Sequence, residues 1–466
     1  MRGLRSTIAL IAVLGGLGAY IYFVTWKTPT EPASKLEKVF SGVQSDKIEE
    51  LKVTSDKGEV STLKKENGSW QIVTPVAARA DEGEASAIAN ALGQAEIVRV
   101  VDENPTDLKD YGLATPRIAV DFKGAGDKDY RRLLIGEKSP TGSDLFAKRN
   151  DEKKVFLISA SQESTLNKST FDLRDKTLLK FERDKVDAIG VDAGGKTLQL
   201  AKDNSEWKIT QPLQARADYG SVEGLIGRLQ SAGMKSIVSD NPTPADLKQY
   251  GLDKPAATVD LKLGSARATL AVGGKAADKT VYARDASKPM VVTIDSSLAD
   301  ELKKGADDYR RKDLFEFRPY TANRVEISRN GQTIAFEKVK GQGPSSTPAP
   351  GGPSSAPAAG GANAEEKWRR VSPTAGDVDK DKVDSLLSRL SNMRATSFVD
   401  ASAKNGLNMP AMTVLAKFDD GKKEERVTFG KVENDVYAGR PGEPGAAKVD
   451  AMDFTEANKT LDELAK

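Results

Sequence analysis

Cysteine and histidine are both absent from the chain. Without cysteine there are no disulfides, no zinc–thiolate sites, no thiol nucleophile and no lipidated N-terminal Cys. Without histidine the commonest general base and the commonest metal ligand are missing. Both absences weigh against an enzyme, and no cofactor or metal site is expected. A dominant sign of charge is lacking too: 70 Lys plus Arg face 68 Asp plus Glu, a net charge of +2 with the signs mixed. There is no basic stripe of the kind that nucleic acid selects, so no nucleic-acid partner is expected. Aromatics are scarce, and of only four Trp, three fall in one recurring string.

That string runs Trp70, Pro75, Arg79, Asp81 and returns as Trp207, Pro212, Arg216, Asp218, each residue 137 positions on (207−70, 212−75, 216−79, 218−81). A third outline, Trp368, Pro373 and Asp379, keeps the spacing but carries Asp377 where Arg stood. Trp suits a strand that packs a core. Pro ends the strand because it has no amide hydrogen for the ladder. Asp caps a helix by accepting from its first free amides. The string therefore predicts a strand-to-helix corner used three times, and with 466 residues the chain is long enough for about three domains.

After each cap the apolar residues take a helical period. Ala85, Ile88, Ala89 and Leu92 recur as Val222, Leu225, Ile226 and Leu229, then as Val383, Leu386, Leu387 and Leu390. Glu84 is placed to complete a capping box with Asp81. A second corner follows each helix: Tyr111-Gly112-Leu113 with Pro116, Tyr250-Gly251-Leu252 with Pro255, and Asn405-Gly406-Leu407 with Pro410. Gly there suits a left-handed cap. Alternating strands come next, with an aromatic-Ala element at Phe146-Ala147, Tyr282-Ala283 and Tyr437-Ala438. Modules one and two are expected to close with charged, helix-like ends around Arg174-Asp175-Lys176 and Arg310-Arg311-Lys312-Asp313, and module three with a helical tail.

Long hydrophobic runs are missing except for one. Arg2 and Arg5 precede an uncharged stretch, 6–26, ending in Tyr20, Tyr22 and Trp26. Its length fits a membrane helix, and its aromatic end differs from the small-residue end of a cleaved signal. The positive-inside rule places the N-terminus in the cytoplasm and the modules outside it. The expected class is α+β: an N-terminal transmembrane helix followed by three tandem, mostly antiparallel sheet-plus-helix modules. The boundaries read 1–27 for the cytoplasmic tip and anchor, 28–47 for a spacer, and 48–181, 182–318 and 319–466 for the modules. The Pro-, Gly-, Ser- and Ala-rich insert 341–364 reads as a disordered loop at a hairpin tip.

Site-like motifs are few. Gly190, Gly195, Lys196 and Thr197 satisfy the letters of a phosphate-binding loop, but Leu198 and Leu200 continue as a strand where that motif needs a helix, so a hairpin is expected. Asp377, Asp379 and Asp381 begin like a calcium loop, yet Lys382 and Ser388 replace its turn Gly and bidentate Glu. Arg79 with Asp81, and Arg216 with Asp218, offer a carboxylate or sugar clamp; a surface ion pair bracing the corner is the stronger expectation. Arg149 and Arg284 are weaker candidates of the same kind. No catalytic, cofactor-binding or metal-ligating residue is assigned.

An N-terminal anchor followed by Trp-x-Ile-x-x-Pro (Trp70/Pro75), Tyr-Gly-Leu-x-x-Pro (Tyr111/Pro116) and Arg-Asp-Lys-x-x-x-x-Phe (Arg174/Phe181) resembles the bacterial family called domain of unknown function 4340. Module three departs from it at Asp377, at Asn405 and in lacking the closing basic cluster. The resemblance implies a bacterial envelope protein of no established activity, often encoded beside ABC exporters of the gliding-motility type. The expected function is a non-enzymatic accessory or scaffold subunit bound to membrane transporter subunits. A cell-wall or surface-polysaccharide binder is the alternative.

Overall fold

The computed structural model describes residues 13–20, 22, 23, 36–277, 279–340 and 366–466. Among them no helix is long and apolar enough to cross a membrane. Most of the expected anchor, and the whole insert 341–364, lie outside the described residues. The chain divides into two compact units, Met1–Lys176 and Thr177–Lys466. The first holds one nine-stranded sheet and the second holds two, with every strand pair antiparallel and the same strand order in all three.

In module one the order from edge to edge is Ala78–Arg79, Ser69–Thr74, Val60–Glu66, Ile48–Thr54, Ile118–Gly124, Arg131–Lys138, Asp144–Arg149, Val155–Ser159 and Arg99–Asp102. The chain builds four strands outward to one edge. A helix, Glu82–Gln94, then carries it across to the opposite edge strand, Arg99–Asp102. From there it returns to lay Ile118–Gly124 against the first strand. The helices Tyr219–Ser231 and Lys380–Asn392 repeat this crossing. The apolar positions expected from the period are the buried ones in all three helices, down to Leu92, Leu229 and Leu390. Each full burial of an aliphatic side chain contributes roughly 1.5–3 kcal/mol, so one such face holds its helix to the sheet.

The corner has the expected parts. Trp70, Trp207 and Trp368 are buried, and Pro75, Pro212 and Pro373 follow in cis peptide linkage. Directly across the ladder from each Trp stands a lysine, Lys65, Lys202 or Lys338, with its ammonium 5.3, 4.9 or 5.4 Å from the ring centroid. Asp81, Asp218 and Asp379 accept from the amides of Glu84 (3.1 Å), Ser221 (2.8 Å) and Asp381 (2.9 Å). The capping box expected at Asp81 is only half made. The Asp81 amide donates to the Leu173 carbonyl at 2.8 Å instead, and Glu84 turns its carboxylate to Lys168 at 2.7 Å.

The second corner is a packing device. Gly112, Gly251 and Gly406 have φ of +65°, +68° and +71°. Each corner presses onto a strand glycine, Gly136, Gly273 or Gly430, where a Cβ would collide with the carbonyl of Tyr111, Tyr250 or Asn405. Tyr111 packs on Phe146 and Tyr250 on Tyr282, with centroids 5.1 and 4.6 Å apart. Asn405 has no ring, and its side chain instead accepts from the Leu407 amide at 3.1 Å.

Two local expectations change. Part of the stretch read as spacer is packed: Glu37–Lys38 pairs with Glu96–Ile97, and Val39 and Phe40 lie in the core of module one. The charged module ends are extended rather than helical. Arg174 bridges Ala80, and Arg310 bridges Ala217, because each corner strand leaves an open edge for them to pair with. Beyond these, Thr177 bridges Gly233 and Asp313 bridges Arg394, both within the second unit, where Leu178 and Leu179 are buried. The helical tail of module three is Ala451–Ala465, with Phe454 packed on Phe429 at 5.3 Å. Strands Gln332–Lys340 and Glu366–Ser372 pair from Lys340↔Glu366, so the insert joins two partners of one hairpin.

Candidate functional site

Arg216 of the second corner joins a cluster of charged residues where modules two and three adjoin. The edge strand Ala215–Arg216 ends the sheet of module two and points the Arg216 guanidinium at module three. Arg216 Nε donates to Glu443 Oε1 at 2.7 Å, Nη1 to Glu316 Oε1 at 3.2 Å, and Nη2 to the Asp313 carbonyl at 3.1 Å. Arg310 donates to Glu443 Oε2 at 3.3 Å and to the Pro444 carbonyl at 3.0 Å, while its guanidinium lies 4.1 Å from the centroid of Phe398. Arg440 donates to Glu425 at 2.8 Å and to the Leu314 carbonyl. Glu425 in turn accepts from the amides of Glu316 and Phe317. Arg311 completes the set with Glu316 at 3.5 Å.

The guanidinium fork suits this place, since it bonds two carboxylates and a carbonyl at once and stacks on a ring. The groups are largely removed from water: Arg310 is 4% exposed and Glu425 6%. Burial alone pushes the Glu316 carboxyl up, but Arg311, Arg216 and Arg440 overcome it and hold the group below the usual glutamate range. Glu316 is therefore a carboxylate at neutral pH and unsuited to act as a general acid. What the arrangement does chemically is join two modules.

The candidates from the sequence fall apart accordingly. Arg216 is not the surface brace expected of it but a largely buried link between modules. Arg79 has an exposed side chain with no partner among the described residues, while its carbonyl accepts from the Asp175 amide at 3.0 Å. Asp81 and Asp218 are caps, so neither Arg–Asp pair forms a clamp. Arg149 binds Glu152 at 2.8 Å and the Val39 carbonyl at 2.6 Å, and Arg284 the Lys288 carbonyl at 3.2 Å. Gly190 to Thr197 is a hairpin, with Ala193 opposite Lys196. Asp379 accepts from the amides of Asp381 and Lys382, as a cap. Sequence reasoning missed Glu443, Glu425 and Arg440. The Arg216–Glu443 pair spans 227 residues, and Glu152, which stands at the matching place in module one, pairs with Arg149 instead, so nothing local announces the joint.

These features define a class: tandem crossover-sheet modules, two of which are tied by an arginine–glutamate joint. The chain belongs to the family described as Domain of unknown function (DUF4340), whose model matches residues 70–208, 207–360 and 368–466. The three matches begin at Trp70, Trp207 and Trp368, the same residues that open each corner. No curated protein matches the chain. Among solved structures it is similar to a DNA polymerase sliding clamp from Pseudomonas aeruginosa with ligand, at 9% identity, 88% coverage of this chain and 93% of that one. The TM-score is 0.16, and the likeness carries no argument.

Proposed function

We propose that the protein is a non-enzymatic, membrane-anchored extracytoplasmic accessory or scaffold subunit of an envelope ABC-type transport system. The observation that carries this reading is the joint: its arginines and glutamates are consumed in holding module two to module three, as a scaffold requires. The uncharged run 6–26 behind Arg2 and Arg5 supports an uncleaved anchor with the modules outside the cytoplasm. Repeated modules commonly offer extended binding surfaces.

Affinity capture of the full-length protein from gently solubilised membranes tests it. Co-purification of polytopic transporter subunits is the expected result. Retention on peptidoglycan with no membrane protein captured would replace it with the wall-polysaccharide reading. Protease added to spheroplasts should digest the modules, and their protection would remove the proposed topology.

A further inference from the structure

The tip of the first hairpin is closed over in two modules and open in the other. In module one, Ser61 stands opposite Val53 and is buried, and its hydroxyl shares a 2.8 Å hydrogen bond with that of Thr170. The Thr170 amide donates to the Glu59 carboxylate at 2.9 Å, and the Asp56 amide to Asn167 Oδ1 at 3.0 Å. The loop ahead of Arg174 is thus tied across the tip. In module three the C-terminal helix does the closing, with Arg329 bound to Asn458 at 2.9 Å and paired with Asp462.

Among the described residues module two has neither closure. Leu198, opposite Val191, takes the place of Ser61, and Lys196 at the turn takes that of Glu59. Ala306, four residues before Arg310, takes the place of Thr170, four before Arg174. Leu and Ala have no hydroxyl to exchange, and Lys cannot accept from an amide. A cleft of about 480 Å³ is left between the hairpin and the loop 302–306. That falls within the roughly 300–1,000 Å³ of small-molecule sites.

Its lining combines two chemistries. Val191, Leu198 and Leu302 present buried apolar surface, with Pro212 beside them. Lys196, Lys303 and Lys304 line it as well. Lys303 is paired with Asp300 at 2.7 Å and Lys304 with Glu301 at 2.8 Å, while the Lys196 ammonium has no partner among the described residues. We propose that this cleft binds a small amphipathic anion, its apolar body on Val191, Leu198, Leu302 and Pro212 and its carboxylate or phosphate at Lys196. The inference does not depend on the transport reading.

The test titrates the full chain with the fluorescent anion 1-anilinonaphthalene-8-sulfonate and displaces it with decanoate, decyl phosphate, decanol or decyltrimethylammonium. Both anions, or one of them, should displace the probe about tenfold more tightly than decanol, the worth of one charge-assisted hydrogen bond. Whichever anion is tighter identifies the headgroup. Lys196→Gln should bring the anions down to the affinity of decanol without changing Tm. The triple change Leu198→Ser, Ala306→Thr and Lys196→Glu, which installs the residues of module one, should abolish displaceable binding. Equal displacement by decanol and the anions, or undiminished anion affinity in Lys196→Gln, overturns the proposal even if the triple variant does not fold.

Discussion

Arg79 and Arg216 occupy the same place in two copies of one string, nine residues after a buried Trp and two before a capping Asp. Arg79 stands exposed, with no side-chain ion pair among the described residues, whereas Arg216 binds two glutamates and a carbonyl. The corners that carry them are built alike, so the corner does not decide what the arginine does. The neighbour decides: Glu443 and Glu316 lie within reach of one and not of the other. A recurring residue type is therefore evidence of shared local geometry and not of a shared role.

The comparison can be broken first at what the two copies have in common. Trp70→Ala and Trp207→Ala should each cost about 3–5 kcal/mol, the usual range for truncating a buried large aromatic. Denaturant melts of the two variants would check this, and a large cost in only one would mean that the corners are not equivalent. Next comes the difference itself. Arg216→Ala should cost about 3 kcal/mol, since it leaves Glu443 and Glu316 desolvated and short of a partner. Arg79→Ala should stay within about 0.5 kcal/mol, as for an ordinary surface change. Equal losses would erase the contrast.

A smaller effect concerns pH. The carboxyl of Glu316 sits below the ordinary glutamate value in the folded joint despite its burial, through Arg311, Arg216 and Arg440. A depressed folded value adds stability that is complete above the unfolded pKa of about 4.3 and is lost as pH falls through the folded one. Glu316→Gln should therefore flatten the acid dependence of unfolding of the Thr177–Lys466 unit below about pH 4.3, read from melts across the acid range. The smallest effect belongs to the third copy. Asp377 is exposed at the matching edge-strand position, so Asp377→Arg should change stability by no more than about 0.5 kcal/mol. A gain as large as the Arg216 loss would show that an arginine there finds a joint of its own.

The corner string, the helix face and the glycine corner were legible because each is written in residues a few positions apart, where chain geometry dictates who meets whom. Asp81 caps its helix and Ala85, Ile88, Ala89 and Leu92 bury its face on spacing alone. The half-made capping box shows where this stops, since Lys168 is 84 positions from the Glu84 it captures (168−84). The same limit hid the extended pairing of Arg174 and Arg310, whose partners Ala80 and Ala217 lie just beyond the corner strands.

By itself the sequence determined three copies of a strand-to-helix corner, the period of each crossing helix, and the left-handed turns at Gly112, Gly251 and Gly406. These follow from backbone sterics, missing amide hydrogens and hydrophobic spacing, which act between near neighbours. Only the tertiary structure decided which edge each helix crosses to, which arginine becomes a joint, and which hairpin tip remains open. Those outcomes depend on groups far apart in the chain, up to the 227 residues between Arg216 and Glu443, being brought within hydrogen-bonding distance. A charge or hydroxyl acquires its partner there from the packing of whole sheets, and nothing in its local sequence records the meeting.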